Sequence, residues 1–560
     1  MTGAGPAKAL DQAVGLQTLD WVLIVLYALS TIGLGLYFSR RQKSMQEYFT
    51  GGGNMNPILI GVSLFATLLS TISYLSVPGE SAGKGPVNLI AMLGLPVVFC
   101  VVGFLMLPIY MKTRVTSAYE LLEEKLGVGL RLLGATMFLA LRLVWMTLLV
   151  YLASEAMTVM MGLDPKWIPV VAAVTGVVAV IYTSLGGLQA VVITDLLQTV
   201  LLFAGAVLVV LTVTIDFGGF GWFPTAWHAN WDSQPMLPIE DGAVSFKLRI
   251  SGLGALLSST IWYIATLGGD QTTVQRFMAT SDARAARKAL ATQLIVGATV
   301  SLTLCAVGFA LLAYFEKHFD QLPDSIKLKE DADKLFPHYI AYHLPVGVSG
   351  LVVSAMFAAA MSSIDSGVNS VTAVVLKDFI GRFRKTKITE RGQLKLARFL
   401  AFTIGGIVVL SSTLMRFIQG NITEMTGKTV NLLTVPIFGL FFFALFVKNP
   451  RPWAVWAGVI SGTVTAVVIA FSGPLTYLLF DQFGIKPEVF GTELIEITDK
   501  VTGEIRSSCN DPISFQWISP MALAVNIAVG YAGCWIGNLW VKPDASTPAR
   551  GMTPSPDDDR

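Results

Sequence analysis

Charge is what this sequence has least of. Asp, Glu, Lys and Arg make up 14% of its 560 residues, against 53% hydrophobic residues and a mean hydropathy of +0.64. A water-facing surface cannot be built from that balance, and several apolar runs reach the roughly twenty residues that cross a bilayer. The chain therefore reads as an all-α polytopic membrane protein embedded in the lipid bilayer. Its basic residues outnumber its acidic ones by only two, which gives no basic field for nucleic acid. Cysteine is scarce too. Cys100, Cys305 and Cys534 fall in apolar runs and Cys509 in a polar stretch, so neither a disulfide framework nor a thiolate metal site is expected. The four histidines, His228, His318, His338 and His343, lie outside the apolar runs, which argues against a histidine-ligated metal enzyme in the membrane. No basic stretch followed by an apolar core and cleavage site opens the chain, so no removable signal peptide is expected.

About thirteen spans are predicted, at 20–38, 57–78, 87–111, 131–161, 167–185, 189–215, 249–269, 289–315, 346–378, 396–417, 429–447, 453–472 and 517–541. Basic clusters follow the first span (Arg40, Arg41, Lys43), the third (Lys112, Arg114, Lys125) and the seventh (Arg276, Arg284, Arg287, Lys288). Others follow the ninth (Arg382, Arg384, Lys385, Lys387, Arg391) and the eleventh (Lys448, Arg451). All lie on one side, so the positive-inside rule places the N-terminus outside and the C-terminus inside. The opposite loops agree: 216–247 carries Trp222, Trp227 and Trp231, 316–336 is acidic, and 473–515 is long and polar.

The second span opens at Pro57, carries Ser63, Thr67, Ser70, Thr71 and Ser73, and ends at Pro78-Gly79. That composition suits a helix that unwinds in the membrane and frees carbonyls for a ligand. The seventh ends similarly, with Ser258, Ser259 and Thr260 before Gly268-Gly269-Asp270. The five-span separation is that of an inverted repeat, although glycine and proline are also common in ordinary membrane helices. The implied divisions are an extracellular segment 1–19, a leading helix and loop 20–56, a first repeat 57–215, an extracellular loop 216–248 and a second repeat 249–447. C-terminal helices at 448–541, interrupted by an extracellular loop 473–515, precede a polar cytoplasmic tail 542–560. Alternating apolar residues near Val489–Ile497 suit a small hairpin or a flexible cap.

The ninth span carries the most informative stretch, Ala359-Ala360-Met361-Ser362-Ser363-Ile364-Asp365-Ser366. Helical spacing puts Ala359, Ser362, Ser363 and Ser366 on one small, oxygen-rich face. Small residues also serve close helix packing. Asp365 beside them tips the reading toward a cation, because a carboxylate in an apolar helix needs a partner and hard oxygens suit small cations. Other charges fall within spans: Arg142 and Glu155 in the fourth, Asp195 in the sixth and Lys428 at the start of the eleventh. Arg142 either pairs with a carboxylate of the chain or offers its planar fork to a carboxylate of a solute. Lys428 either snorkels to the interface or faces the solute.

Glu47-Tyr48-Phe49 with Gly51-Gly52-Gly53, Ser117-Ala118-Tyr119-Glu120-Leu121-Leu122-Glu123 and Gly186-Gly187-Leu188-Gln189-Ala190-Val191-Val192 with Thr194-Asp195 and Gln198 come in that order. Gln275-Arg276, then Met361-Ser362-Ser363 with Ser366, Asn369-Ser370 and Asp378, complete the series. In this order and spacing the chain resembles the sodium:solute symporter family over roughly residues 20–472. The resemblance implies a LeuT-type 5+5 inverted-repeat bundle and the sodium ion as coupling ion. It also implies a sodium site from carbonyls of Ala66, Leu69 and Ala359 and hydroxyls of Ser362 and Ser363. A second cation, found in some members, would use Asp195, Asp365 and Ser366, and Asp365 stands where those members carry serine. Ser73, Leu68 and Thr266 depart from the polar set of the sugar-carrying members, while Val77-Pro78-Gly79-Glu80 is similar to the Val-Pro-x-Glu stretch of the iodide, monocarboxylate and vitamin branch.

The expected function is sodium-coupled symport of a small organic solute across the inner (plasma) membrane, leaning to an organic anion such as a monocarboxylate. Arg142, Ser73, Trp262, Tyr263, Thr266 and Lys428 are the candidate solute contacts, although packing is the commoner role of the two aromatics. A neutral solute such as a sugar is the alternative. A sensor module is another, disfavoured because only about twenty polar residues follow Trp540. No nucleophile–base or metal constellation points to an enzyme, and no obligatory protein partner is evident.

Overall fold

The computed structural model describes residues 16–40, 44–69, 71–113, 117–240, 242–323, 326–383, 389–413, 422–498 and 505–539. The tail 542–560, most of segment 1–19, Ser70, and Arg41, Lys43, Arg114, Arg384, Lys385 and Lys387 of the basic clusters lie outside the described residues.

The leading helix α1 (Thr18–Ser39) and the short α2 (Met45–Thr50) precede a broken pair, α3 (Pro57–Leu68) and α4 (Thr71–Gly83). Residues Val87–Thr113 form one winding helical run, with α5 (Leu95–Cys100) and α6 (Leu107–Thr113) joined by a π turn. Then come α7 (Glu120–Leu126), α8 (Val128–Met160) and α9 (Ile168–Asp216). A second broken pair, α10 (Gly252–Gly269) and α11 (Gln271–Met278), leads into α12 (Ala283–Lys317), α13 (Leu335–Tyr342) and α14 (Val348–Val374). The last continues through a π turn to α15 (Gly381–Phe383). The remainder is α16 (Glu390–Ser412), α17 (Ile422–Phe446), α18 (Pro452–Ala470), α19 (Ser472–Phe483) and α20 (Ile518–Leu539).

Among the described residues ten helices are long and apolar enough to cross a membrane, or eleven with the bent pair α3–α4 as one span. Two features account for the difference in number from the expected spans. Segments 167–185 and 189–215 are two helices, as expected, but they are contiguous in α9 and joined at Gly187, whose non-helical φ of 57° and ψ of −165° favour glycine, so together they make one of the ten. Segment 249–269 is the 18-residue α10, whose hydroxyls and aromatics leave it less apolar than the others. The loop 473–515, long and polar as read from sequence, contains α19 and, of the hairpin and the flexible cap that its alternation suits, the hairpin: β1 (Leu494–Thr498) with β2 (Ile505–Cys509), paired antiparallel from Leu494–Cys509 to Thr498–Ile505.

Burial identifies the centre. In its most apolar window α14 is 83% buried and α1 only 17%, so α14 is ringed by protein while α1 presents Leu26 and Leu29 outward. The N-terminus of α14 is held by Asp20 of α1, whose carboxylate accepts from Gly347 N (2.8 Å) and Gly350 N (2.7 Å). A carboxylate on free N–H groups at the positive end of a helix dipole is favourable, and it fixes where α14 begins. Two glycine contacts seat α12. Gly61 of α3 lies against the Ala289 carbonyl and Thr292, and Gly308 of α12 lies against the Pro78 carbonyl and Ser81 of α4.

At the loop end, Asp333 packs on Gly79 beside Glu80. Burial first, and the Glu80 charge second, push its carboxyl up to about 6, against the opposing pull of Lys84 and Arg249. The native state therefore holds this proton more tightly than the unfolded chain, and stability falls as pH rises from the ordinary value of 3.8 through about 6. Asp333→Asn should melt about 1–3 °C above wild type at pH values past that upper limit. The gain should vanish in acid, and paired thermal melts at the two extremes check it.

Candidate functional site

Two features make the site: a break in α3–α4 beside α14, and a small cavity beside the break in α10–α11. The first pair bends by 68°. At the end of α3, Leu69 is extended (φ −81°, ψ 103°), and a helix stopping there leaves its last-turn carbonyls without intrahelical donors. Hydroxyls on either side of the break dock it to α14. Thr67 Oγ1 lies 3.0 Å from Ser366 Oγ, and Thr71 Oγ1 donates to the Met356 carbonyl at 3.2 Å. Ala66 and Leu69 therefore flank a threonine already in contact with the serine face of α14, and Ala359, Ser362 and Ser363 are buried with them. The hydroxyl of Ser363 is buried without a hydrogen-bond partner. A buried hydroxyl without a partner, and carbonyls freed at a helix break, are each hard oxygen ligands of the kind a small cation takes.

The second set of expected residues separates. Asp195 Oδ1 accepts from Ser362 Oγ at 2.5 Å, and Oδ2 accepts from Ser63 Oγ at 2.5 Å. Arg276, 2% exposed, joins them: Nε donates to Ser63 Oγ at 2.9 Å and Nη2 to Ser366 Oγ at 2.5 Å, with Nη2 3.6 Å from Asp195 Oδ2. Asp365 takes another partner. It accepts from Thr183 Oγ1 of α9, and its second oxygen is buried without a partner. Arg276 and Ser63 join the site without a role read for them from sequence: Ser63 stands there only as one hydroxyl of the second span, and Arg276 in a basic cluster and the Gln275-Arg276 motif. Arg276 is buried at the end of α11 as the counter-charge of Asp195.

The cavity, about 30 Å³, is bounded by Thr67, Leu68, Leu141, Arg142, Trp145, Trp262, Thr266, Asp270, Val430 and Thr434. Arg142 is 8% exposed and donates from Nη2 to Asp270 Oδ2 at 2.6 Å. Three donors at this cavity, Arg142 Nε, Trp262 Nε1 and Thr266 Oγ1, are buried without partners. Buried donors ordinarily find acceptors, so their convergence marks a place for an acceptor-rich group. The volume holds no organic solute, so occupancy requires the surrounding helices to part.

The other expected solute contacts lie elsewhere. Tyr263 faces a separate cavity with Val77, Ser81 and Gln293, because consecutive helical residues point about 100° apart. Ser73 is half-buried on α4 outside the wall of the Arg142 cavity. Lys428, read as snorkelling or facing the solute, is paired with Asp511 of the loop before α20.

Comparison with known proteins shows the family. The sodium/sialic acid symporter NanT of Aliivibrio fischeri is 28% identical, covering 84% of this chain and 92% of that protein. The sodium/sialic acid symporter SiaT of Proteus mirabilis is 27% identical, covering 83% and 92%. A solved substrate-bound outward-open structure of a Na+-coupled sialic acid symporter superposes with a TM-score of 0.71 at 22% identity, covering 93% of this chain and 98% of that one, which shows the shared fold. Residues 48–462 match the sodium:solute symporter family. The chain is thus a member of that family, a sodium-coupled transporter of a small solute and not an enzyme.

Proposed function

We propose that the transported solute is a small organic anion, a sugar acid or a monocarboxylate, taken up through an inner (plasma) membrane with the N-terminus outside. The observation that carries this reading is the convergence of three unpartnered buried donors, one of them a guanidinium nitrogen, on one cavity. A carboxylate supplies the acceptors such a set lacks, and Arg presents them a planar fork. Sialic acids, for which the two bacterial relatives are named, are themselves carboxylates. Sodium is assigned to Ala66, Leu69, Ala359, Ser362 and Ser363. Bound there, it would tie α3 and α4 to α14 and favour solute binding alongside, so each ligand tightens the other. A membrane potential adds about 2.3 kcal/mol per charge per 100 mV to the inward step.

The neutral-solute reading has one observation in its favour: Asp270 already balances Arg142. Proteoliposome uptake under a sodium gradient separates the two. N-acetylneuraminate, lactate and glucose are offered to wild type and to Arg142→Gln. Sodium-driven uptake of an acid should fall at least tenfold in the variant, the loss of about 1.4 kcal/mol or more. Glucose uptake indifferent to the substitution would retire the anion reading, and absence of all flux would favour a sensor.

A further inference from the structure

We propose that Asp270 is an internal stand-in for the solute's carboxylate, exchanged for it on Arg142, and that this exchange carries the signal from solute to cation network. The inference rests on the anion reading above. Arg142 uses Nη2 for Asp270 and leaves Nε, on the same edge of the guanidinium, buried and unpartnered. A bidentate carboxylate needs both nitrogens of that edge, so an incoming acid must take Nη2 from Asp270.

What Asp270 is tied to gives the exchange a consequence. Its other oxygen, Oδ1, accepts from Thr272 N at 2.7 Å and caps the N-terminus of α11 across the break. Thr272 is a junction. Its carbonyl accepts from Arg276 Nη1 at 3.1 Å, and its hydroxyl lies 2.9 Å from Ser370 Oγ of α14. Arg276 in turn grips Ser63 and Ser366 beside Asp195. A carboxylate released from Arg142 thus pulls on the first turn of the helix whose last turn holds the cation network. Solute charge and the cation network are joined through one short helix.

Asp270 acts through Arg142 and is a positioning residue, so its test needs a readout that a merely structural role would not move. Equilibrium binding of radiolabelled N-acetylneuraminate, with its methyl ester as the uncharged analogue, is measured at low and at saturating sodium on the purified full chain. Lactate and lactamide serve as a second pair. In Asp270→Asn the acid should bind several-fold tighter than in wild type at low sodium, the ester should not gain, and the acid's dependence on sodium should flatten. Asp270→Glu should restore that dependence. Equal losses for acid and ester, or an undiminished sodium dependence in Asp270→Asn, overturn the proposal while leaving the role of Arg142 intact. Should Asp270→Asn not fold, wild type carries the test: the acid must tighten sodium binding more than the ester does, and equal tightening overturns it. Failure of both acids to bind wild type defeats the anion reading itself.

Discussion

Ser363→Ala should raise the sodium concentration that half-saturates uptake by about tenfold or more, since losing one oxygen to a charge costs about 1.5–3 kcal/mol. The effect should fall on the ion and not on the fold. The Ser363 hydroxyl is buried without a hydrogen-bond partner, so its removal leaves no acceptor or donor stranded. The ion-free melting temperature should be unchanged or slightly higher, while the rise on adding sodium shrinks. Ser362→Ala makes the contrast, because its hydroxyl donates to Asp195 and its loss exposes a buried carboxylate. Uptake at graded sodium and thermal melts with and without sodium check both. An unchanged sodium dependence in Ser363→Ala would remove Ser363 from the ion's shell.

Arg276→Gln should have the largest effect on stability of any single change at the site. Asp195 is wholly buried, and its only cationic neighbour among the described residues is Arg276. Breaking a buried ion pair by removing one partner costs about 3–5 kcal/mol, because the other charge is left in low dielectric. Ser63 and Ser366 also lose their donor. A melting temperature lower by several degrees, or poor recovery of folded protein, is expected. Replacing both members, Arg276→Gln with Asp195→Asn, should regain most of the stability without regaining normal sodium dependence. A double variant no more stable than the single would mean that the pair's worth lies in its hydrogen bonds rather than its charges.

The helices and the break of α3–α4 were legible because their causes are local. Apolar runs set the helices, Pro57 opens α3, and the hydroxyls around Thr67 and Thr71 mark the discontinuity, whereas Pro78-Gly79, read as the end of the span, lies inside α4, which continues to Gly83. The serine face of α14 was legible for the same reason, since helical spacing alone groups Ser362, Ser363 and Ser366. Partnerships across the fold were not. Arg276 reads in sequence as a basic residue after a span, and only tertiary structure reveals that α11 buries it against Asp195 on α9. Asp365 reads as a companion of Asp195, yet on the helix it points toward Thr183. Lys428 has its counter-charge in the loop before α20, a stretch with no recognisable motif. Trp262 and Tyr263, neighbours in sequence, serve two different cavities.

The two glycine contacts of α12 bear on how the bundle can move. One half of the bent span touches α12 backbone to backbone at Gly61, the other at Gly308, and neither contact has room for a side chain. A helix so seated acts as a splint laid across a joint. A pivot of either half about Leu69 with α12 held still would have to compress or open one of these contacts. The two sets of contacts thus differ in kind: α12 meets α3 and α4 through close backbone packing, whereas α14 meets them through hydroxyls that can exchange partners.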